Sequence, residues 1–325
     1  MAIGRAEEPN WFSKLFGFHE SGYEETRARF VVRDGKLISK ANGASFEIGR
    51  LETPSLAELR AESFDRRAPN TVRHVVADIR DLHKETANAG ALFQVASQVN
   101  LLEMLSPEIS PEDGVSAYEI DPTQGPACAI AAGAATVYRN YFAPAQGGEG
   151  QTRKRQIDVF SDFHAVLMSV CGRSNPVWNV RNGYPLPIED EFRGSIEILG
   201  RLDAERVDAL RGALRIGLHW DIEATEAKPR HRVSQAFCAA MPIAYSRLPP
   251  AVWAPIGQLV LEAAYEATLL AAAANARRGV SNAVFLTRIG GGAFGNPPDW
   301  IDAAIHRALG SVEHAGLDIR IVARR

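Results

Sequence analysis

The sequence predicts an α/β fold: a mixed sheet flanked by helices, with an N-terminal extension. Three observations predict it. From Val72 onward, apolar runs of strand length alternate with stretches of helical period. A long alanine-rich segment over 251–276 reads as a buried helix. The chain then runs as strand, glycine loop, helix and strand, an alternation that implies a largely parallel sheet with helices on its faces.

Taken in order, residues 1–70 mix short apolar runs with turns and are expected to form an extension packed on a main domain of residues 71–325. Asp34-Gly35 separates RFVV from KLIS and reads as a hairpin. SLAELRAE, after Pro54, reads as a short helix. ALFQVASQV is a strand candidate, and PACAIAAGAATVYRNYF a closely packed helix of small residues. Residues 143–156 form the clearest loop; their basic run, Arg153, Lys154 and Arg155, reads as solvated. The pattern leaves IDVFSDFHAVLMSV and SIEILGRL unassigned. LDAERVDALRGAL has helical spacing, and HRVSQAFCAAMPIAY reads as a buried strand leading into a loop at Pro242. In 251–276, Glu262 and Glu266 stand one helical turn apart, which argues against a membrane span; Arg277, Arg278 and Gly279 read as a helix end.

The bulk numbers narrow the function classes. The 325 residues are 46% hydrophobic and 23% charged, as in ordinary packed domains. A net charge of −3 argues against a broad nucleic-acid surface. Cys128, Cys171 and Cys238 lie far apart with no CxxC pair, so buried reduced thiols are expected. The start, MAIGRAEEPNWF, carries acids and no apolar run, so a cytoplasmic location is expected, with delivery as an effector left open. The histidines show no HExxH or paired metal spacing, and no GxSxG occurs, so neither a metal, a bound cofactor nor a covalent nucleophile is expected.

The strongest local signal is the loop Gly290, Gly291, Gly292, Ala293, Phe294, Gly295, which follows the strand VFLTRI and opens a helix. Asn296 suits the helix N-cap, Pro297 the first helical position and Asp299 a capping acid. Backbone N–H groups exposed at such a turn suit an oxygen anion, phosphate above all. Gly290, Gly292 and Gly295 also spell GxGxxG, so a nicotinamide-dependent oxidoreductase is an alternative. That motif wants an acid at the end of the following strand, but here Asp318 stands at the strand's beginning and Ala323, Arg324 and Arg325 at its end.

IGGGAFGNPPDWI, with the alanine-rich helix and strand that follow, resembles the second phosphate loop of macrodomains. FQVASQVNLLEML is similar to the macrodomain strand that leads to an asparagine, here Asn100. DPTQGPACAIAAGAATVYRN resembles the first loop and its helix, and HRVSQAFCAAMPIAYS a strand and loop of the poly(ADP-ribose) glycohydrolase branch. The resemblance covers roughly residues 72–323 and is nearest to atypical glycohydrolase-like and effector-type ADP-ribosylhydrolases. It implies a macrodomain-like fold, ADP-ribose or an ADP-ribosylated protein as partner, and hydrolysis of an ADP-ribose linkage. The first loop lacks a triple glycine and tandem glutamates, which implies removal of a single ADP-ribose, with arginine as a candidate acceptor. A non-catalytic ADP-ribose reader is the other reading.

Hydrolysis of a ribosyl bond passes through an oxocarbenium-like state that a carboxylate stabilises. Two acidic clusters are candidates: Glu119 with Asp121, ahead of Thr123, Gln124 and Gly125 in the first loop, and Asp221 with Glu223, beside His219 and Trp220. Asp121 and Asp221 are expected to meet at the distal ribose. The resemblance makes Asn100 a ribose contact and Phe294 a wall against the ribose or adenine; Gln235 and Tyr245 are weaker ligand candidates.

Overall fold

A computed structural model describes residues 8–62 and 68–323. The first seven residues, which carry most of the acid-rich start, and Arg324 and Arg325 lie outside the described residues.

The expected α/β fold is present. Seven strands form one mixed sheet: β1 (Arg50–Glu52), β2 (Thr71–Val76), β3 (Leu92–Ala96), β4 (Gly217–Glu223), β5 (Arg232–Cys238), β6 (Ala283–Leu286) and β7 (Asp318–Ala323). Their spatial order is β1-β4-β5-β3-β6-β7-β2. From β5 to β2 every neighbouring pair is parallel, while β4 runs antiparallel to both β5 and β1. β6 lies inside the sheet, as a fully buried AVFL run requires, with all four residues buried. β2 closes one edge and is largely exposed.

The pleat sends successive side chains to opposite faces, and the helices divide accordingly. Phe93 stacks on His83 of α3 (Ile79–Lys84), with ring centroids 3.7 Å apart, whereas Gln94 donates to Thr268 of the long helix α7 (Pro250–Arg277) at 2.9 Å. On β5, Gln235 reaches the Cys128 carbonyl of α4 (Gln124–Ala131), and Cys238 lies against Thr268. So α3, α4 and α5 (Gly133–Tyr141) cover one face and α7 the other, with α8 (Pro298–Ser311) joining β6 to β7. His83 is wholly buried between Ile79 and Gln235, and burial pushes its pKa down to about 4, so it packs as a neutral ring.

Among the described residues ahead of β2, Arg50–Glu52 supply the sheet's outermost strand, β1. The Asp34-Gly35 hairpin is present, with Arg33 opposite Lys36 and both turn residues at positive φ. A separate aromatic core holds this segment down: Trp11, Phe12 and Phe16 of α1 (Trp11–Phe16), with Phe18, Phe30 and Phe46, pack against Ala134, Val137 and Tyr141 of α5.

Several sequence expectations are corrected. The small-residue run is two helices, broken at Ala132, because Thr225 occupies the break: its Oγ1 accepts from Gly133 N at 3.1 Å and its N–H donates to the Ala131 carbonyl at 2.9 Å. The unassigned stretches hold helices Ser161–Val170 and Glu189–Leu199. α8 begins one residue later than expected, with Pro297 at the N-cap, because the Asn296 amide is drawn instead to the carbonyls of Met241 (2.9 Å) and Gly290 (3.2 Å).

α7 is long and apolar enough to cross a membrane, yet 89% of its most apolar window is buried within the protein. Its two carboxylates explain themselves by their partners. Glu266 takes a two-pronged contact from Arg60 of α2 (Leu56–Ala61), at 2.6 and 2.9 Å, and Glu262 is 2.7 Å from Arg211 of α6 (Ala204–Gly212). Asp208 joins Arg60 to Arg211, at 2.8 and 2.6 Å. Removing one member of a buried pair strands the other charge, a loss of about 3–5 kcal/mol when both are fully buried. Arg60 is 28% exposed, so Arg60→Leu is expected to cost less, about 2 kcal/mol, read as a lower urea midpoint. Adding Glu266→Leu should recover part of that loss; an unshifted midpoint in the single variant would show that the network contributes nothing.

Candidate functional site

Parallel strands deliver their carboxyl ends to one side of a sheet, and ligand sites form there. The ends of β3, β5, β6 and β7 converge on a cavity of about 530 Å³. Ala96 ends β3 with Ser97 and Gln98 after it, Cys238 ends β5 with Ala240 just beyond, Arg288 and the glycine loop follow β6, and Val322 and Ala323 end β7.

One wall is the loop Gly290 to Phe294. Its glycines do different work. Gly290 has φ +74°, and a Cβ there would lie 2.6 Å from both Ala240 and the Asn296 amide, so both conformation and space demand glycine. Gly295 also has positive φ, with Ala244 beside it, but it sits behind the cavity wall. A Cβ on Gly291 would press on Ile301 at 3.0 Å, whereas at Gly292 it would meet open space. The loop is closed internally by Gly295 N donating to Gly292 O (3.0 Å) and Asn296 N to Gly290 O (2.8 Å). The N–H groups of Gly292, Ala293 and Phe294 have no acceptor among the described residues. That is the arrangement an anion's oxygens complete.

The opposite wall is the first turn of α4. Asp121 Oδ1 accepts from Thr123 N at 2.8 Å, which turns the chain into Gln124, Gly125 and Pro126. The leading N–H groups of a helix lack intrahelical acceptors, so Gln124 and Gly125, ahead of Pro126, which has no N–H, turn two amides toward the same space. Gly125 allows this: a Cβ would lie 2.2 Å from the Ala96 carbonyl oxygen and 2.5 Å from Glu103 Oε2.

Glu103 is the residue the sequence reading missed. It lines the cavity, is only 3% exposed, and its Oε1 has no hydrogen-bond partner among the described residues. Burial pushes its carboxyl well above the usual carboxylate range; the Arg139 guanidinium opposes this and the Asp121 charge adds to it. Its one available signal is a single acid inside the apolar run LLEML. Glu103 ends a tight turn in which Leu101 has φ +63°. Arg139, wholly buried on α5, holds that turn by donating to the Leu101 carbonyl at 3.1 Å. It also donates to Thr136 Oγ1 (3.0 Å) and to His219 Nδ1 (3.3 Å), and lies 3.9 Å from the Phe237 ring centroid. An arginine only donates, so His219 Nδ1 accepts and its Nε2–H donates to Ile48 O at 2.7 Å.

Of the residues expected from sequence, the cavity brings together Asp121, Thr123, Gln124, Gly125, Gly290, Gly291, Gly292, Ala293, Phe294 and Tyr245. Tyr245 and Phe294 join Tyr184, not singled out in the sequence, in an aromatic cluster with centroids 5.0–5.7 Å apart. The other expectations are corrected. Asp221 sits at an irregularity in β4, with φ +56°, and pairs with Arg278 of the α7 terminus, away from the cavity; Asp121 and Asp221 therefore do not meet. Glu223 accepts from Glu47 N and binds Arg230. Glu119 turns to Trp11 N, at 3.1 Å. Asn100 is fully buried, bonded to Leu102 N and Gln156, and Gln235 is bonded to Cys128 O and His83; neither lines the cavity. His219 and Trp220 are core neighbours, the indole donating to Glu52 at 2.6 Å. Asp318, where the oxidoreductase reading looks for its acid, begins β7 and pairs with Arg320 and Arg73.

No family model matches the chain, and no curated protein matches it. Among solved structures it is similar to a poly(ADP-ribose) glycohydrolase from Thermomonospora curvata, at 12% identity and TM-score 0.42, over 89% of this chain and 87% of that one. It is similar also to a poly(ADP-ribose) glycohydrolase from Deinococcus radiodurans, solved in complex with ADP-ribose, at 13% identity and TM-score 0.43, over 85% and 86% of the two chains. A macrodomain from Oceanobacillus iheyensis, a variant solved with ADP-ribose, aligns at 12% identity and TM-score 0.34, over 84% of this chain and 90% of that one. Likeness at this level carries no residue role from those proteins to this one.

Proposed function

We propose that the protein binds an ADP-ribose unit in this cavity and hydrolyses the bond from its distal ribose to a modified protein. The observation that carries the reading is the meeting, in one cavity of about 530 Å³, of two anion-favouring backbone walls with a buried carboxyl whose proton affinity burial raises. The glycine loop and the α4 terminus suit a diphosphate, and the cluster of Tyr184, Tyr245 and Phe294 suits an aromatic base or a ribose face. The motif resemblance of the glycine loop selects ADP-ribose among such ligands.

The chemistry follows from the two carboxyl groups. Glu103, whose proton affinity burial raises well above the usual carboxylate range, donates its proton to the leaving atom as the bond to the ribose C1″ breaks. Water adds to C1″, and its proton passes to the Asp121 carboxylate. Between these steps the Asp121 charge stabilises the oxocarbenium-like sugar. The cavity shows no tandem carboxylates on the α4 turn, which favours release of a single ADP-ribose; arginine is the acceptor to test first.

Three measurements test the reading. Gly292→Glu places a carboxylate in open space at the loop without backbone strain, so it is expected to abolish ADP-ribose binding by calorimetry while the thermal transition stays put; unchanged binding would show that the loop is not the phosphate cradle. Glu103→Gln and Asp121→Ala should each slow release of label from ADP-ribosylated protein by about a hundredfold or more while ADP-ribose still binds, and Asp221→Ala should leave turnover unchanged. If wild type binds ADP-ribose yet releases no label, the protein is a reader.

Glu103 also makes a pH prediction. Its folded-state carboxyl titrates above the unfolded value, so the folded protein holds an extra proton between the two. Stability from this group is present below the unfolded pKa and is lost as pH rises toward the raised folded value. Glu103→Gln should flatten that part of the stability-against-pH curve, with the largest gain over wild type at the alkaline end. Parallel curves would show that Glu103 is charged in the fold.

A further inference from the structure

Both proposed carboxyl groups are registered by one short turn, and that turn is held from a distant part of the chain. The 3-10 turn Ser116–Ile120 ends at Asp121 and carries Tyr118, whose buried hydroxyl accepts the Glu103 backbone N–H at 2.9 Å. The turn has no side-chain cap of its own. Its leading amides are taken instead by Glu20, almost a hundred residues earlier in the sequence: the carboxylate accepts from Val115 N at 2.8 Å and from Ser116 N at 2.6 Å. It also accepts from the Tyr141 hydroxyl of α5 at 2.8 Å, so it joins the turn to the helix that bears Arg139. Gly114, at φ +84°, leaves the room: a Cβ there would sit 2.4 Å from Glu20 Oε2. Trp11 adds two more ties, its indole N–H donating to Ser116 O at 3.0 Å and its backbone N–H to Glu119 Oε2 at 3.1 Å.

We infer that Glu20 is a positioning residue for the catalytic carboxyl groups. Its carboxylate, presented by the N-terminal aromatic core, fixes the turn that sets Asp121 at the cavity mouth and Tyr118 against Glu103. The N-terminal segment is thereby part of the working site, though none of its side chains among the described residues lines the cavity. A charged acceptor at the amino end of a turn, bonded to two N–H groups, is stronger than a neutral cap. Glutamine in its place keeps the shape but offers one acceptor oxygen, and its NH₂ faces donors.

The role rests on the assignment of Glu103 and Asp121 as the working groups, so the experiment on the full chain reads both the turn and the chemistry. In Glu20→Gln, hydrogen exchange at Val115 and Ser116 should quicken by about tenfold or more as their charged acceptor is lost. The carboxyl ¹³C titration of Glu103, identified by its loss in Glu103→Gln, should move its midpoint, because the buried turn that faces it with Tyr118, Asp121, Arg139 and Cys128 has loosened. Turnover should fall by about tenfold with ADP-ribose affinity within about threefold of wild type. Gly114→Ala, which pushes the carboxylate away from the other side, should reproduce this pattern and serves if Glu20→Gln does not fold. Unchanged exchange would overturn the pin itself. Faster exchange with an unmoved Glu103 midpoint and full turnover would overturn the positioning role. A wild type that hydrolyses nothing would remove the proposed function alone; exchange and the Glu103 midpoint would then still decide whether Glu20 registers the turn.

Discussion

Arg139 is a cation placed where no ion pair is made among the described residues, and much of the molecule is arranged around it. Burying a charge costs several kcal/mol or more unless its donors are taken up, roughly the scale of a whole domain's net stability. Here the compensation comes from a carbonyl, a hydroxyl, a neutral imidazole and an aromatic face, each from a different segment: Leu101, Thr136, His219 and Phe237. Burial lowers the guanidinium to about 10, so it remains charged at neutral pH, and the nearby Glu103 works against that fall. One side chain thus fastens α5 to β4 and β5 and to the strained turn that presents Glu103.

The same turn shows why the site needs both tight packing and empty space. Gly125 brings the α4 backbone against the Ala96 carbonyl and the Glu103 side chain, where a Cβ would lie 2.2 Å from that carbonyl oxygen and 2.5 Å from Oε2. Burial raises the carboxyl's proton affinity well above the usual carboxylate range, because the charged form loses its solvation, while Arg139 works against the rise. Across the cavity, Gly292 faces unfilled space, and the N–H groups of Gly292, Ala293 and Phe294 have no acceptor among the described residues. A buried acid on one side and unspent donors on the other are the two features on which the proposed function rests.

The N-terminal segment and the ion network around α7 solve a common problem at different depths. Glu262 and Glu266 would be liabilities in an apolar helix, but Arg60 and Arg211 reach them from α2 and α6 and lock those helices to the sheet's far face. Glu20 similarly reaches across from the aromatic core to amides that have no local acceptor. In both, a charge placed by one element satisfies a polar group that its own element leaves unpaired, so the elements hold one relative position rather than several.

The sequence by itself determined the elements whose causes are local. The Asp34-Gly35 hairpin follows from two residues that tolerate positive φ, β6 from four apolar residues in a row, the end of α7 from Arg277 and Gly279, and the glycine loop from its composition. It also marked the two loops that stand on opposite sides of the cavity, because each is written as a continuous motif. The tertiary structure decided which acids face the cavity. Asp221 and Glu223 looked as suitable as Asp121, but β4 carries them to Arg278 and Arg230, and Glu119 is spent on Trp11. Glu103 is one acid among apolar neighbours, with nothing local to mark it. Its chemistry depends on Gly125, Asp121, Tyr118 and Arg139, which meet it only when the strand ends and α4 come together, and a carboxyl's proton affinity is a property of that assembled surrounding.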